Sequence, residues 1–212
     1  MVGEPRKRPG SDTGRSRAAF LAAALRSPLE VGTLLPSGRA LARRLAAVVP
    51  REAAGQRRQV VVELGAGTGA VTVEIARRAG PGSTLIAIEK DAAMAEQLRS
   101  RGLGAEIVTA DALTLPEILA DHGLDRADAI VSVLPFTLLP PARQRELVEV
   151  IREALHPDGV FTAAAYSAGY WTPTARRFRD ELQRSFHEVV PTRSIWDNVP
   201  PAMSYICRQP AL

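Results

Sequence analysis

From residue 59 onward, short unbroken apolar runs alternate with stretches in which apolar side chains return every three to four positions. Runs of four to eight apolar residues bounded by turn residues are the pattern of strands buried on both faces, and the intervening period is that of crossover helices. The alternation predicts parallel strands near 60–64, 84–89, 105–109, 127–132 and 158–165, with helices near 69–79, 91–101, 115–121, 141–155 and 174–183. Two last runs, Phe186 to Val190 and Ala202 to Arg208, flank Trp196-Asp197-Asn198-Val199-Pro200-Pro201 and suit a closing hairpin. The expected fold is a seven-stranded, mostly parallel α/β sheet with helices on its faces.

The pattern before residue 59 is different. Residues 1–14 are rich in Gly, Pro, Ser and Arg and read as a disordered basic tail. Residues 15–58 read as amphipathic helices. One begins at Ser16 and sets Phe20, Leu21, Ala24 and Leu25 on one side, with arginines 15, 17 and 26 at its borders and Pro28 as its stop. Another begins near Ser37, an N-cap after Pro36, with Leu41, Leu45, Val48 and Val49 on one face and Arg39, Arg43 and Arg44 elsewhere. Residues 59–212 would then be the sheet domain.

Charge sharpens this division. The 212 residues carry 27 basic and 23 acidic side chains, but residues 1–58 hold twelve and four of them, net +8, leaving the remainder at −4. A basic amphipathic segment favours anionic partners, whether nucleic acid or membrane surface. No apolar stretch approaches the roughly 18 residues of a spanning helix, and the arginines and prolines of the first seventeen positions do not suit a secretory signal. The lone Cys207, in an apolar run, reads as a buried thiol in a reducing compartment.

The candidate chemistry gathers at strand ends. Glu63-Leu64-Gly65-Ala66-Gly67-Thr68-Gly69 reads as a buried strand ending in a glycine turn that opens a helix, with an acid able to accept from an ammonium group. Glu89-Lys90 ends the second strand, where an acid can hold both ribose hydroxyls. Asp111-Ala112 follows the third, and its carboxylate can accept from an exocyclic adenine amine. The third glycine of the dinucleotide spacing is missing. Three acids at successive strand ends suit a ligand with amine, ribose and adenine and no pyrophosphate.

The E-L-G-x-G-T-G run, the acid after strand two and A-D-A after strand three resemble the class I methyltransferases over residues 59–208. The resemblance implies a Rossmann-like fold and S-adenosyl-L-methionine as cofactor, converted to S-adenosyl-L-homocysteine, bound by Glu63, Gly65, Ala66, Gly67, Thr68, Gly69, Glu89, Lys90, Asp111, Ala112 and Ser132; no metal is implied. After strand four the chain reads Ser132-Val133-Leu134-Pro135-Phe136-Thr137-Leu138-Leu139-Pro140, without the Asn or Asp that enzymes acting on adenine N6 place there. The ribosomal RNA adenine dimethyltransferases, similar in the leading helix and glycine turn, therefore lose their key residue.

The S-x-L-P-x-x-x-L-P run is similar instead to the bacterial phospholipid N-methyltransferases. So are the leading Phe20-Leu21 to Ala24-Leu25, Val31-Gly32-Thr33-Leu34-Leu35-Pro36-Ser37, and Asn198-Val199-Pro200-Pro201-Ala202 before the last strand. That resemblance, over about 16–208, implies methylation of the amine of phosphatidylethanolamine and its partly methylated forms to phosphatidylcholine. It also implies a cytoplasmic enzyme peripherally associated with the inner face of the cell membrane, its basic helix docking on the bilayer and closing over the lipid. Acceptor-pocket candidates are Ser132, Leu134, Pro135, Phe136, Tyr166, Tyr170, Trp171, Arg176, Arg177, Trp196 and Asn198. Phe136 equally suits the core, Tyr170-Trp171 a loop cap, and the arginines a solvated helix face. No general base is assigned from His122, His156 or His187, and no feature calls for an obligate protein partner. RNA or a soluble small molecule are the alternative acceptors.

Overall fold

Val60-Val61-Val62-Glu63-Leu64 becomes β1 (Val60–Leu64), an interior strand of the sheet buried at every position. The computed structural model describes residues 38–51 and 58–211; the expectations for the tail, the helix from Ser16 and the Ser37 N-cap fall outside them. The chain continues as β2 (Thr84–Glu89), β3 (Glu106–Thr109), β4 (Ala127–Ser132), β5 (Leu155–Tyr166), β6 (Phe186–Pro191) and β7 (Ala202–Pro210). The strand order is β3-β2-β1-β4-β5-β7-β6, with β7 antiparallel to both neighbours. All seven expected strands are present. The last two pair as foreseen, with β7 inserted between β5 and β6.

Helices α1 (Arg39–Ala46), α2 (Ala70–Ala79), α3 (Ala92–Ser100), α4 (Leu115–Asp121), α5 (Pro141–Ala154) and α6 (Pro173–Ser185) cover the sheet. Alternation along β1 decides which side each residue serves. Val60, Val62 and Leu64 join Leu115, Ile118, Leu147, Ile151, Phe178 and Leu182 of α4, α5 and α6 in one core. Val61 faces the other way, into a core with Val71 and Ile75 of α2 and Leu41 and Leu45 of α1.

The second expected helix thus belongs to the sheet's own cover, and the layer begins before residue 59. Its N-cap is Gly38, which offers no side-chain cap. The Gly38 N–H instead donates to Asn198 Oδ1 at 2.9 Å, and Asn198 Nδ2 donates to the Pro200 carbonyl at 2.6 Å. Asn198, a buried polar residue, therefore ties α1 to the segment before β7. Asn198→Ala would leave these groups unpaired, an expected loss of about 1–3 kcal/mol, read as a lower urea midpoint.

The start of β5 is irregular: its pairing with β4 jumps from Leu155 opposite Ala127 to Val160 opposite Ala129. The four residues between, His156-Pro157-Asp158-Gly159, stand opposite one residue of β4 and are absorbed as a bulge. Cys207 is buried in β7, and burial pushes its thiol up to about 12.

Candidate active site

The chain runs outward from β1 to β2 and β3, then returns to β4 on β1's other side. The crossovers diverge at that point, and the crevice outside the carboxyl ends of β1 and β4 is where such sheets bind ligands. The glycine turn follows β1 there. The Gly65 and Ala66 N–H groups donate to the Ile88 carbonyl at 2.9 and 3.2 Å, which ties the turn to β2. Gly65 and Gly69 have φ of +77° and +76°, disfavoured for residues with a Cβ. Space reinforces the requirement. A Cβ on Gly65 would lie 2.8 Å from Leu134 Cδ2, and one on Gly69 would lie 2.6 Å from Leu98 Cδ2.

The three acids stand near the carboxyl ends of β1, β2 and β3 in different states. Glu63 points to the α2 side of the sheet, fully buried, and neither carboxylate oxygen has a hydrogen-bond partner. Desolvation dominates its titration, raising the carboxyl to about 8, with Glu89 adding to the rise. Thr72, at the start of α2, pulls the other way without completing a well-formed hydrogen bond.

Glu89 is at the rim. Its Oε2 accepts from the Gly67 N–H at 2.8 Å and its Oε1 from the Asp91 N–H at 2.9 Å, so the acid and the glycine turn are held together. Asp111 carries three donors. The Leu113 N–H reaches Oδ1 at 3.1 Å, and Lys90 Nζ at 3.0 Å and the Arg143 guanidinium both reach Oδ2. Burial works against the charge of Asp111, but these donors outweigh it and hold the carboxyl below its ordinary range. Ala112 stands beside Asp111 in the same short 3-10 turn, while Thr68 is exposed and its carbonyl accepts from Arg101.

Arg143 and Thr72 were not foreseen. Arg143 has a signal in the sequence: a cation in the first turn of α5, with no acid there, opposes the helix dipole and asks for a partner. Thr72 has none, because its neighbour comes from β1.

Ser132 and Leu134 face the same crevice. Ser132 is buried and accepts from the Leu134 N–H at 3.2 Å, and the Val133 N–H donates to the Leu64 carbonyl at 3.1 Å. Leu134 thereby lies against Gly65, with the half-buried Pro135 following. The remaining acceptor candidates are not brought together as a cage. Phe136 turns into the core, 1% exposed, stacked on Phe178 at 4.4 Å. The Tyr170 ring already carries Arg179, 4.2 Å from its centroid. Arg176 and Arg177 are solvent-facing on α6, and Asn198 is engaged with Gly38. Tyr166 is half-buried, which raises its hydroxyl pKa, and Trp171 and Trp196 project into water.

All three histidines lie at the opposite, amino edge of the sheet. His122 bonds Glu106, the first residue of β3, at 2.8 Å; His156 is in the bulge at the start of β5; His187 is the second residue of β6. Among the described residues, no cluster of His, Cys, Asp or Glu could hold a metal, and no helix is long and apolar enough to cross a membrane.

A doubly wound sheet in this strand order, with a glycine turn at the switch point, defines the class I S-adenosylmethionine-dependent methyltransferases. Residues 61–159 match the family model described as a methyltransferase domain. The chain is 34% identical over 192 residues to an ornithine lipid N-methyltransferase of Singulisphaera acidiphila, covering 89% of this chain and 94% of that one. It belongs to this family of S-adenosylmethionine-dependent methyltransferases, and it is an enzyme of methyl transfer. Solved structures agree on the fold. An S-adenosylmethionine-dependent O-methyltransferase from Thermotoga maritima superposes with a TM-score of 0.57 at 16% identity, over 89% of this chain and 71% of that one. The CurJ carbon methyltransferase gives 0.59 at 14% identity, over 76% of this chain but only half of that one.

The residues present fit the cofactor. A buried carboxyl with two unpartnered oxygens suits an ammonium group, and the charged Asp111 suits an amine donor.

Proposed function

We propose that this enzyme methylates the amine of a membrane aminolipid. The observation that carries the reading is the apolar end of β4. Val133 stands at the position where a reader of adenine needs a polar side chain, and Leu134 after it lies against Gly65. The ornithine lipid N-methyltransferase relative supports the same class of acceptor, since ornithine, like ethanolamine, carries a primary amine. Phosphatidylethanolamine and its partly methylated forms are the acceptors that the sequence resemblance favours.

Bound S-adenosylmethionine supplies an electrophilic methyl group on a sulfonium. The chain's own work is to hold and align. In this reading, Glu63 and the Gly65–Gly67 turn hold the methionine part, Glu89 accepts from the ribose hydroxyls, and Asp111 accepts from the adenine amine. Leu134 and Pro135 exclude water beside the reacting centre, where alignment supplies much of the rate. With every histidine at the far edge, the proton of the lipid ammonium leaves through solvent.

Arg143 is a positioning residue in this scheme, fixing Asp111 from α5. Arg143→Ala is expected to weaken S-adenosylhomocysteine about tenfold through the lost charge-assisted contact. S-inosylhomocysteine, which lacks the amine, should bind the variant and the parent alike. Calorimetry with both compounds checks this.

Methyl-labelled S-adenosylmethionine tests the acceptor class. It is offered with vesicles containing phosphatidylethanolamine, vesicles containing ornithine lipid, and bulk RNA. Label is expected in a lipid extract; label in RNA or only in the soluble fraction would overturn the reading.

A further inference from the structure

The chain's two tryptophans are 73% and 76% exposed, at Trp171 and Trp196. Residues of this size are mostly buried, and two in water on one side of a molecule call for a reason. Topology puts them on one side. Trp171 follows the carboxyl end of β5, and Trp196 precedes the start of β7, which pairs there through Tyr166 and Ala202. This is the edge of the sheet at which β1 and β4 end and the glycine turn stands.

The loops are pinned. The Ser167 N–H donates to the Pro201 carbonyl at 2.9 Å, the Ser167 and Ser194 hydroxyls meet at 2.8 Å, and Ile195 bridges Ala202. Trp171 packs edge-on against Tyr170 at 5.0 Å. Each indole is therefore presented by a braced loop. Val199, on the same loop as Trp196, is 52% exposed.

The surrounding charge suits an anionic surface. Arg176, Arg177 and Arg193 are exposed on α6 and the Trp196 loop, against the exposed acids Asp180 and Asp197. The same loop holds Gly38 through Asn198. Indoles with an apolar body and a polar N–H, set among arginines, are the groups that settle at the boundary between head groups and acyl chains. We propose that the loops bearing Trp171 and Trp196 insert into the interface of an anionic bilayer and so present the carboxyl edge of the sheet to the layer from which the acceptor is drawn. The inference rests on the aminolipid reading and adds to it a docking surface within the catalytic domain.

Because the full chain has only these two tryptophans, its intrinsic fluorescence reports on them alone. Vesicles of phosphatidylglycerol and phosphatidylethanolamine with brominated acyl chains are expected to shift the emission to the blue and to quench it. Each single Trp→Phe variant should retain the response through its remaining indole. The Trp171→Ala/Trp196→Ala variant should cosediment at least about tenfold less with the same vesicles. Emission unaltered by vesicles, while methyl label still enters lipid, would overturn the docking surface and leave the acceptor reading standing. Quenching without any label in lipid would do the reverse. Emission already blue-shifted without vesicles would mean that other parts of the chain cover the indoles, and would also overturn the proposal.

Discussion

Replacing Glu63 by glutamine is expected to raise the stability of the ligand-free protein at neutral pH while sharply weakening its hold on S-adenosylmethionine. The carboxyl titrates near 8 in the folded chain against an ordinary value of 4.5, because it is fully buried with no partner for either oxygen. The sign follows from where the proton resides. Below the ordinary value the carboxyl is neutral in both states and costs nothing extra. As pH rises, the unfolded chain ionises freely and the folded one does not, so stability is lost progressively until pH reaches about 8. At pH 7 the penalty is at most on the order of 3 kcal/mol, reduced by whatever relaxation admits water. Glutamine matches the neutral acid in shape and does not titrate. Urea unfolding at pH 5 and pH 8 should show a gain for Glu63→Gln that grows with pH; equal gains at both would contradict the assignment.

The same variant should bind S-adenosylmethionine roughly ten- to a hundredfold more weakly, the usual scale for a lost charge-assisted hydrogen bond. Below pH 8 the parent must release a proton from Glu63 to receive the ammonium. Its calorimetric heat should therefore depend on the buffer's ionisation enthalpy, and that of Glu63→Gln should not.

Glu89→Ala should be still more damaging to binding. One carboxylate both tethers the glycine turn, through the Gly67 N–H at 2.8 Å, and fixes the start of the next segment through the Asp91 N–H at 2.9 Å. In the proposed complex it also accepts from the ribose hydroxyls. Losing two charge-assisted contacts together is expected to cost about 3 kcal/mol, roughly 150-fold in affinity. Glu89→Gln, which keeps the acceptor oxygen but not the charge, should recover part of it. An affinity unchanged in Glu89→Ala would sink the assignment of the ribose site.

What the sequence made legible was whatever is local along the chain. Strands β1, β2 and β4 were readable because their short apolar runs, bounded by turn residues, are buried on both faces, and the three acids stood at strand ends whose spacing the fold dictates. Contacts across the chain were not readable. Phe136 sits one residue after Pro135 in what looked like an acceptor loop, but the turn dips and stacks it on Phe178, 42 positions away. Asn198 looked like a substrate contact and proved to cap α1, whose first turn lacks a capping side chain of its own. Arg143 reaches Asp111 only because α5 packs against the short turn that follows Asp111. The second amphipathic helix illustrates the same limit. A basic helix with an apolar stripe suits a membrane or a sheet equally well, and Leu41 and Leu45 went to the sheet.

The acceptor is tested most directly by the mass spectrum of total lipid from a bacterial host that makes phosphatidylethanolamine and ornithine lipid and methylates neither, after expression of the full chain or of its Glu89→Ala variant. New aminolipid species heavier by one or more methyl units should accumulate with the parent chain and be absent with the variant. A lipid spectrum identical in both, alongside methyl label recovered in RNA or in soluble metabolites, would contradict the account.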